Sequence, residues 1–97
     1  MNVEFHNAAT SEVQSAIAFH EAERSGLGRN LWDEILAAVQ RIELNPDGPE
    51  RIGSNLRRTP IRRFPYSIIY GICRDTLWIV AVAHHSRQAA YWRNRVL

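Results

Sequence analysis

Residues 81–92, AVAHHSRQAAYW, end an apolar run with His84, His85 and Arg87, followed closely by Tyr91 and Trp92. These side chains suit phosphodiester chemistry. A histidine titrating near neutrality can move a proton, and an arginine can hold the charge that builds on a phosphate. His85, Arg87 and Tyr91 are the types such a reaction would use. A plainer role fits the same residues: His84 closing the sheet, Arg87 pairing with a helix acid, and Tyr91 and Trp92 packing the terminal segment down. Metal binding fits poorly. Adjacent histidines on a strand point to opposite faces, and the lone Cys73 cannot build a cysteine cluster or an internal disulfide. No metal and no cofactor is expected.

A second constellation lies upstream, where Arg57, Arg58, Arg62 and Arg63 flank Thr59, Pro60 and Ile61. Charge on an edge strand prevents aggregation, and the same arginines could hold a nucleic acid backbone or an acidic protein segment. The charge distribution extends the pattern. Residues 1–50 hold three arginines against nine acids, a net −6, and residues 51–97 hold nine arginines against Asp75 alone, a net +8. All twelve basic residues are arginine, whose planar fork matches phosphate and carboxylate.

The elements that must position these groups follow from length and pattern. At 97 residues the chain is expected to form one domain, since halves would be too small to bury their own cores. Val3 and Phe5 flank Glu4 as a first strand. Ser11 and Gln14 fit a capping box for a helix to about Glu23, with Val13, Ala16, Ile17, Phe19 and His20 on its apolar arc and Glu12 away from it. GLG at 26–28 turns the chain into a second helix, from about Gly28 to Leu44, with Leu31, Trp32, Ile35, Leu36, Val39 and Ile42 facing inward. NPDGPE at 45–50 stops it. Segments 56–64, 66–72 and 77–84 then read as an antiparallel meander, with Pro60 marking an edge or a bulge. In the last strand, alternation puts Trp78, Val80 and Val82 on one face and Leu77, Ile79 and Ala81 on the other. A sheet apolar on both sides needs two covers. The helices supply one, and residues 89–97 with a partner protein would supply the other.

The longest apolar run, Leu77–Ala83, is far short of the roughly 20 residues that span a bilayer. Met1–Glu4 opens no basic-then-apolar leader, so a cytoplasmic location and no membrane partner are expected.

RRFPYSIIYGI, then LWIVAVAHHSRQAAYW with Arg95 close behind, resembles the RelE/ParE superfamily of toxins from bacterial type II toxin–antitoxin pairs. AIAFHEAERSGLGRNLWDEI and RIELNPDGPERIG are similar to the helical pair and following loop of that family. The resemblance implies an α+β fold, β-α-α-β-β-β with a short C-terminal segment, in which two N-terminal helices pack on a twisted antiparallel sheet. It also implies a cognate antitoxin and no small-molecule substrate. Two activities occur on the fold: RelE-like members cut messenger RNA on the ribosome, and ParE-like members inhibit DNA gyrase. Laid on the nuclease pattern, Arg58 keeps the first basic position, but Pro60 and Ser67 stand where two further cations would be. His85 replaces a later one, and Tyr91 matches the terminal tyrosine. The ParE-like reading is therefore favoured, in a plasmid-stabilisation type of pair. Arg57, Arg58, Arg62, Arg63, His84, Trp92 and Arg95 are then expected to contact antitoxin or target. The alternatives are a nuclease using His85, Arg87 and Tyr91, and a non-toxic relative that still binds antitoxin.

Overall fold

The computed structural model describes residues 1–53 and 55–95; Val96 and Leu97, the end of the expected terminal segment, lie outside them. The element order is β1 (Asn2–Phe5), α1 (Asn7–Glu23), α2 (Leu27–Leu44), β2 (Glu50–Arg51), β3 (Arg57–Pro60), β4 (Tyr66–Cys73) and β5 (Thr76–His84). The strands form one sheet in the order β1-β5-β4-β3-β2.

α1 starts at Asn7, earlier than the Ser11–Gln14 capping box implies. His6 caps it instead, its Nδ1 accepting from the Ala8 N–H at 3.0 Å. Ala9, Val13 and Ala16 are buried, and Phe19, which periodicity places inward, is 60% exposed. α2 buries Leu31, Ile35, Ala38, Val39 and Ile42, leaving Leu36 at the surface. The hairpin between the helices is closed by Glu21. Its carboxylate accepts from the N–H groups of Gly26 (3.1 Å) and Gly28 (3.0 Å), two donors that the first turn of α2 leaves without partners. These bonds hold the Glu21 carboxyl below its usual pKa. Gly26, at φ 94°, makes the turn that brings α2 back along α1.

β3, β4 and β5 form the expected antiparallel meander, and Arg74 and Asp75, both at positive φ, supply the tight β4–β5 turn. The sheet is mixed rather than wholly antiparallel, because β1 pairs in parallel with β5, Asn2 opposite Thr76 through Phe5 opposite Ile79. The helical hairpin between them supplies the crossover that parallel pairing needs. Pro60 ends β3 beyond the two residues paired with β2, where its missing N–H costs no ladder bond.

One irregularity re-aims the end of β5. Ile69 faces Ala81 but Tyr70 faces Ile79, so Val80 is an inserted bulge residue. Simple alternation fails there. Leu77, Ile79 and Val82 pack on the helix side with Ile68 and Tyr70, whereas Val80 and Ala81 both belong to the opposite face with Ile69. The bulge thus exchanges Ala81 and Val82 relative to the sequence pattern. The helix-side core is continuous, and the opposite face is covered in part by Ile52, Leu56 and Trp92.

Candidate functional site: a groove at the end of the sheet

Past the bulge, β5 delivers His84 to the helix side and His85 to the other. His84 stands edge-on to Tyr66, ring centroids 5.1 Å apart. The Tyr66 hydroxyl lies 3.1 Å from His20 Nε2, and His20 Nδ1 lies 3.0 Å from a Glu23 oxygen. With Glu23 drawing the ring proton to Nδ1, Nε2 accepts from the tyrosine. Burial and the Glu23 charge push the Tyr66 pKa up, so it stays a hydrogen-bond donor. His84 Nδ1 accepts from the Ser86 N–H (3.0 Å) and the Ser86 hydroxyl (2.8 Å), which closes a tight turn.

On the opposite face His85 Nε2 lies 3.0 Å from Ser67 Oγ. Ser67 is 6% exposed, and this bond explains how a polar residue is buried at the start of β4. Beside the pair, the Arg87 guanidinium lies over the Tyr91 ring at 3.8 Å, and Arg95 approaches the same ring at 5.1 Å.

The terminal segment is tied to the body through Glu12. β1 ends opposite Ile79, so the outer edge of β5 beyond that point has no neighbouring strand among the described residues. Glu12 Oε1 accepts from the Val82 N–H of that edge at 3.0 Å, Oε2 accepts from the Tyr91 hydroxyl at 2.6 Å, and both oxygens accept from Arg95, at 3.0 and 2.9 Å. Arg95 also donates to the carbonyl of the bulge residue Val80 at 2.9 Å. Burial alone would raise the Glu12 pKa, but the bonds from Arg95, Tyr91 and Val82 outweigh it and hold the carboxyl below its usual range. Burial and the bond to Glu12 push Tyr91 far above the ordinary tyrosine value. The Glu12 partner in turn keeps Arg95 more firmly protonated.

The result is an open groove of about 830 Å³ on the sheet face away from the helices. Arg58, His84, His85, Arg87, Tyr91, Trp92 and Arg95, all singled out by sequence, line it together with Ser67, Ile52 and Leu56. Arg57, Arg62 and Arg63 do not line it. Arg57 donates to the carbonyls of Asp47 (2.8 Å) and Pro49 (2.7 Å) and braces the loop after α2. Arg63 turns the β3–β4 corner at φ 71° with Glu34 3.8 Å away. Within the groove Arg58 pairs with Glu50 at 2.7 Å, and the acid on α1 is taken by Arg95 rather than by Arg87. Arg87 and Arg93 make no ion pair among the described residues. Sequence reasoning missed Glu12, whose partners lie 70 to 83 positions away, and Ser67, noted only as an absent cation.

The family model described as the ParE toxin of the type II toxin–antitoxin system, parDE, matches residues 3–89. The chain belongs to the ParE toxin family. The match runs from within β1 to beyond the end of β5, so in this ParE-family chain it covers both helices and strands β2 to β5 whole. Among solved structures it is similar to one titled "Chromosomal ParDE TA system from P. aeruginosa", with a TM-score of 0.75 and 11% identity over 87% of this chain and 95% of that one. At that identity the likeness concerns the fold. No curated protein matches. No described helix of this ParE-family chain is long and apolar enough to cross a membrane.

Proposed function

We propose that this ParE-family chain is the toxin of a type II pair, that a cognate antitoxin neutralises it at the groove, and that its target is DNA gyrase. The observation that carries the choice of target is the state of Tyr91. Its hydroxyl donates to Glu12 and its ring has guanidiniums at 3.8 and 5.1 Å, so neither proton transfer nor base stacking finds it free. Pro60 and Ser67 remove two more groups that a phosphodiester cut would use, and Ser67 is held by His85. Antitoxin binding is supported by an apolar floor of Ile69 and Ala83, walls of Leu56 and Trp92, and cations at Arg87 and Arg93. An acidic and apolar segment fits that lining. His84, Arg58 and Trp92 are its proposed contacts. Arg62 and Arg63, at the far corner, are proposed for the target. Arg57 and Arg95 act indirectly, by bracing the groove's two walls.

A nuclease reading retains one supporting observation, that His85, Arg87 and Tyr91 line the same groove. Expression without antitoxin separates the two. Gyrase poisoning filaments the cells with a DNA-damage response, whereas prompt loss of translation with cut messages supports the nuclease.

A further inference from the structure

The groove has one wall of a different kind from the rest. Residues 86–95 add no strand to the sheet. Their backbone bonds are isolated turns, Arg87 N–H to the His84 carbonyl, Arg93 to Ala90 and Arg95 to Trp92, each at 3.0 Å. Ala90 sits at φ 62°, a left-handed conformation costly for a residue with a Cβ, and it keeps these turns from joining into a helix. Tertiary contact holds the segment, through Trp92 on the Ile69–Val80–Ala81 patch and the Glu12 knot. The same knot closes the open edge of β5. Val82 N–H and Val80 C=O, which a neighbouring strand would pair, are satisfied by Glu12 and Arg95 side chains instead.

A second, smaller groove of about 350 Å³ runs along α1 past Ser15 and the exposed Phe19. His84, Arg87 and Tyr91 line both grooves, so the stacked Arg87–Tyr91 pair is the ridge between them. We propose that residues 86–95 form a latch, locked by Glu12, whose release joins the two grooves into one docking surface for an acidic, apolar segment of the antitoxin. Release frees Arg95, uncovers the Ile69–Val80–Ala81 patch and returns the Val80 carbonyl of the β5 edge to a partner, while the Val82 N–H stays on Glu12. Charge selects that occupant: an incoming carboxylate replaces Glu12 on Arg95 and meets Arg87, which has no ion pair among the described residues. The occupant rests on the proposed antitoxin reading; the latch itself does not.

The experiment has two arms on the purified full chain. Amide hydrogen exchange of Glu12→Ala rises about tenfold in residues 86–95, with β4 and α2 unchanged. Tyr91→Phe, which deletes one bond and leaves no buried charge, gives a smaller rise in the same residues and keeps the test open should the first variant fold poorly. An unchanged segment, or loosening spread through β4 and α2, overturns the latch. In the second arm, association with the protein encoded by the adjoining reading frame accelerates roughly fivefold in Glu12→Ala, because more of the chain is already open. An unaltered or slower rate overturns the gating role, and acceleration for a single-stranded RNA oligonucleotide in place of that protein overturns the choice of occupant. If the wild type fails to bind the adjoining protein while the exchange arm succeeds, the antitoxin reading has failed and with it the occupant, not the latch.

Discussion

Replacing Glu12 by Gln tests how much of the fold's closure rests on one carboxylate. Glutamine keeps one oxygen, which can accept from Val82 or from Tyr91 but not from both, since these donors use different oxygens of Glu12; the principal loss is the two-pronged pair with Arg95. The side chains of that pair are 17% and 15% exposed, which sets it apart from the surface pairs such as Arg29–Asp33, 79% and 58% exposed. Surface pairs contribute at most about 1 kcal/mol. Hydrogen bonds to charged groups count for roughly 1.5–3 kcal/mol, and Arg95 would keep its Val80 carbonyl, so the expected loss is about 2–3 kcal/mol. For a chain of this size that lowers Tm by roughly 10–20 °C. Urea unfolding followed by circular dichroism at pH 7 gives the free-energy difference, and the cycle with Arg95→Met isolates the coupling. The pH dependence has a definite sign. A carboxylate whose pKa is depressed in the folded state stabilises fully above its unfolded value, about 4.3, and loses that contribution as pH falls through the folded value. The gap between wild type and variant therefore narrows below about pH 4. A difference under about 0.5 kcal/mol at pH 7, or one that persists unchanged in acid, refutes the assignment of Glu12 as the lock.

Four further substitutions probe other parts of the account. His85→Gln and Arg87→Gln, made singly, should each weaken partner binding by about 1–2 kcal/mol in a titration, Tyr91→Phe should not weaken it because it loosens the latch, and all three should leave growth arrest within roughly tenfold of wild type; a loss of several orders of magnitude in any of them would indicate catalysis. Gly28→Ala sets a helix-propensity gain of about 1 kcal/mol against a Cβ placed 3.0 Å from Ile17 Cγ2, from the Ile17 carbonyl and from Glu21 Oε1. Overpacking of about 1–3 kcal/mol should win, giving a net loss in chemical denaturation, and a more stable variant would show that the hairpin yields easily.

The helical pair and the meander were legible because each rests on local pattern: an amphipathic repeat for α2, apolar runs bounded by Pro65 and the Arg74–Asp75 turn for β4 and β5. What sequence did not reveal is non-local. A four-residue strand such as β1 gives no sign that its partner is β5, 74 positions on and parallel. An inserted Val80 leaves no mark in composition, yet it reverses the facing of Ala81 and Val82. The start of α1 was missed because the His6 ring, rather than a hydroxyl, caps it. At the groove, His84, His85, Arg87, Tyr91 and Trp92 stood out by type and were brought together by their own closeness in the chain. Glu12 did not, since a helical wheel puts it off the core arc and only the folded edge of β5 gives it a role. The arginines divided for the same reason: Arg57 and Arg95 have internal partners that no spacing rule connects to them.

Inhibition of purified DNA gyrase by the purified chain tests the central claim most directly. The account predicts that supercoiling of relaxed plasmid stops, that cleaved DNA accumulates, and that adding the antitoxin restores activity. Gyrase that turns over undisturbed, beside ribosome-bound messages cut by the same preparation, would contradict it.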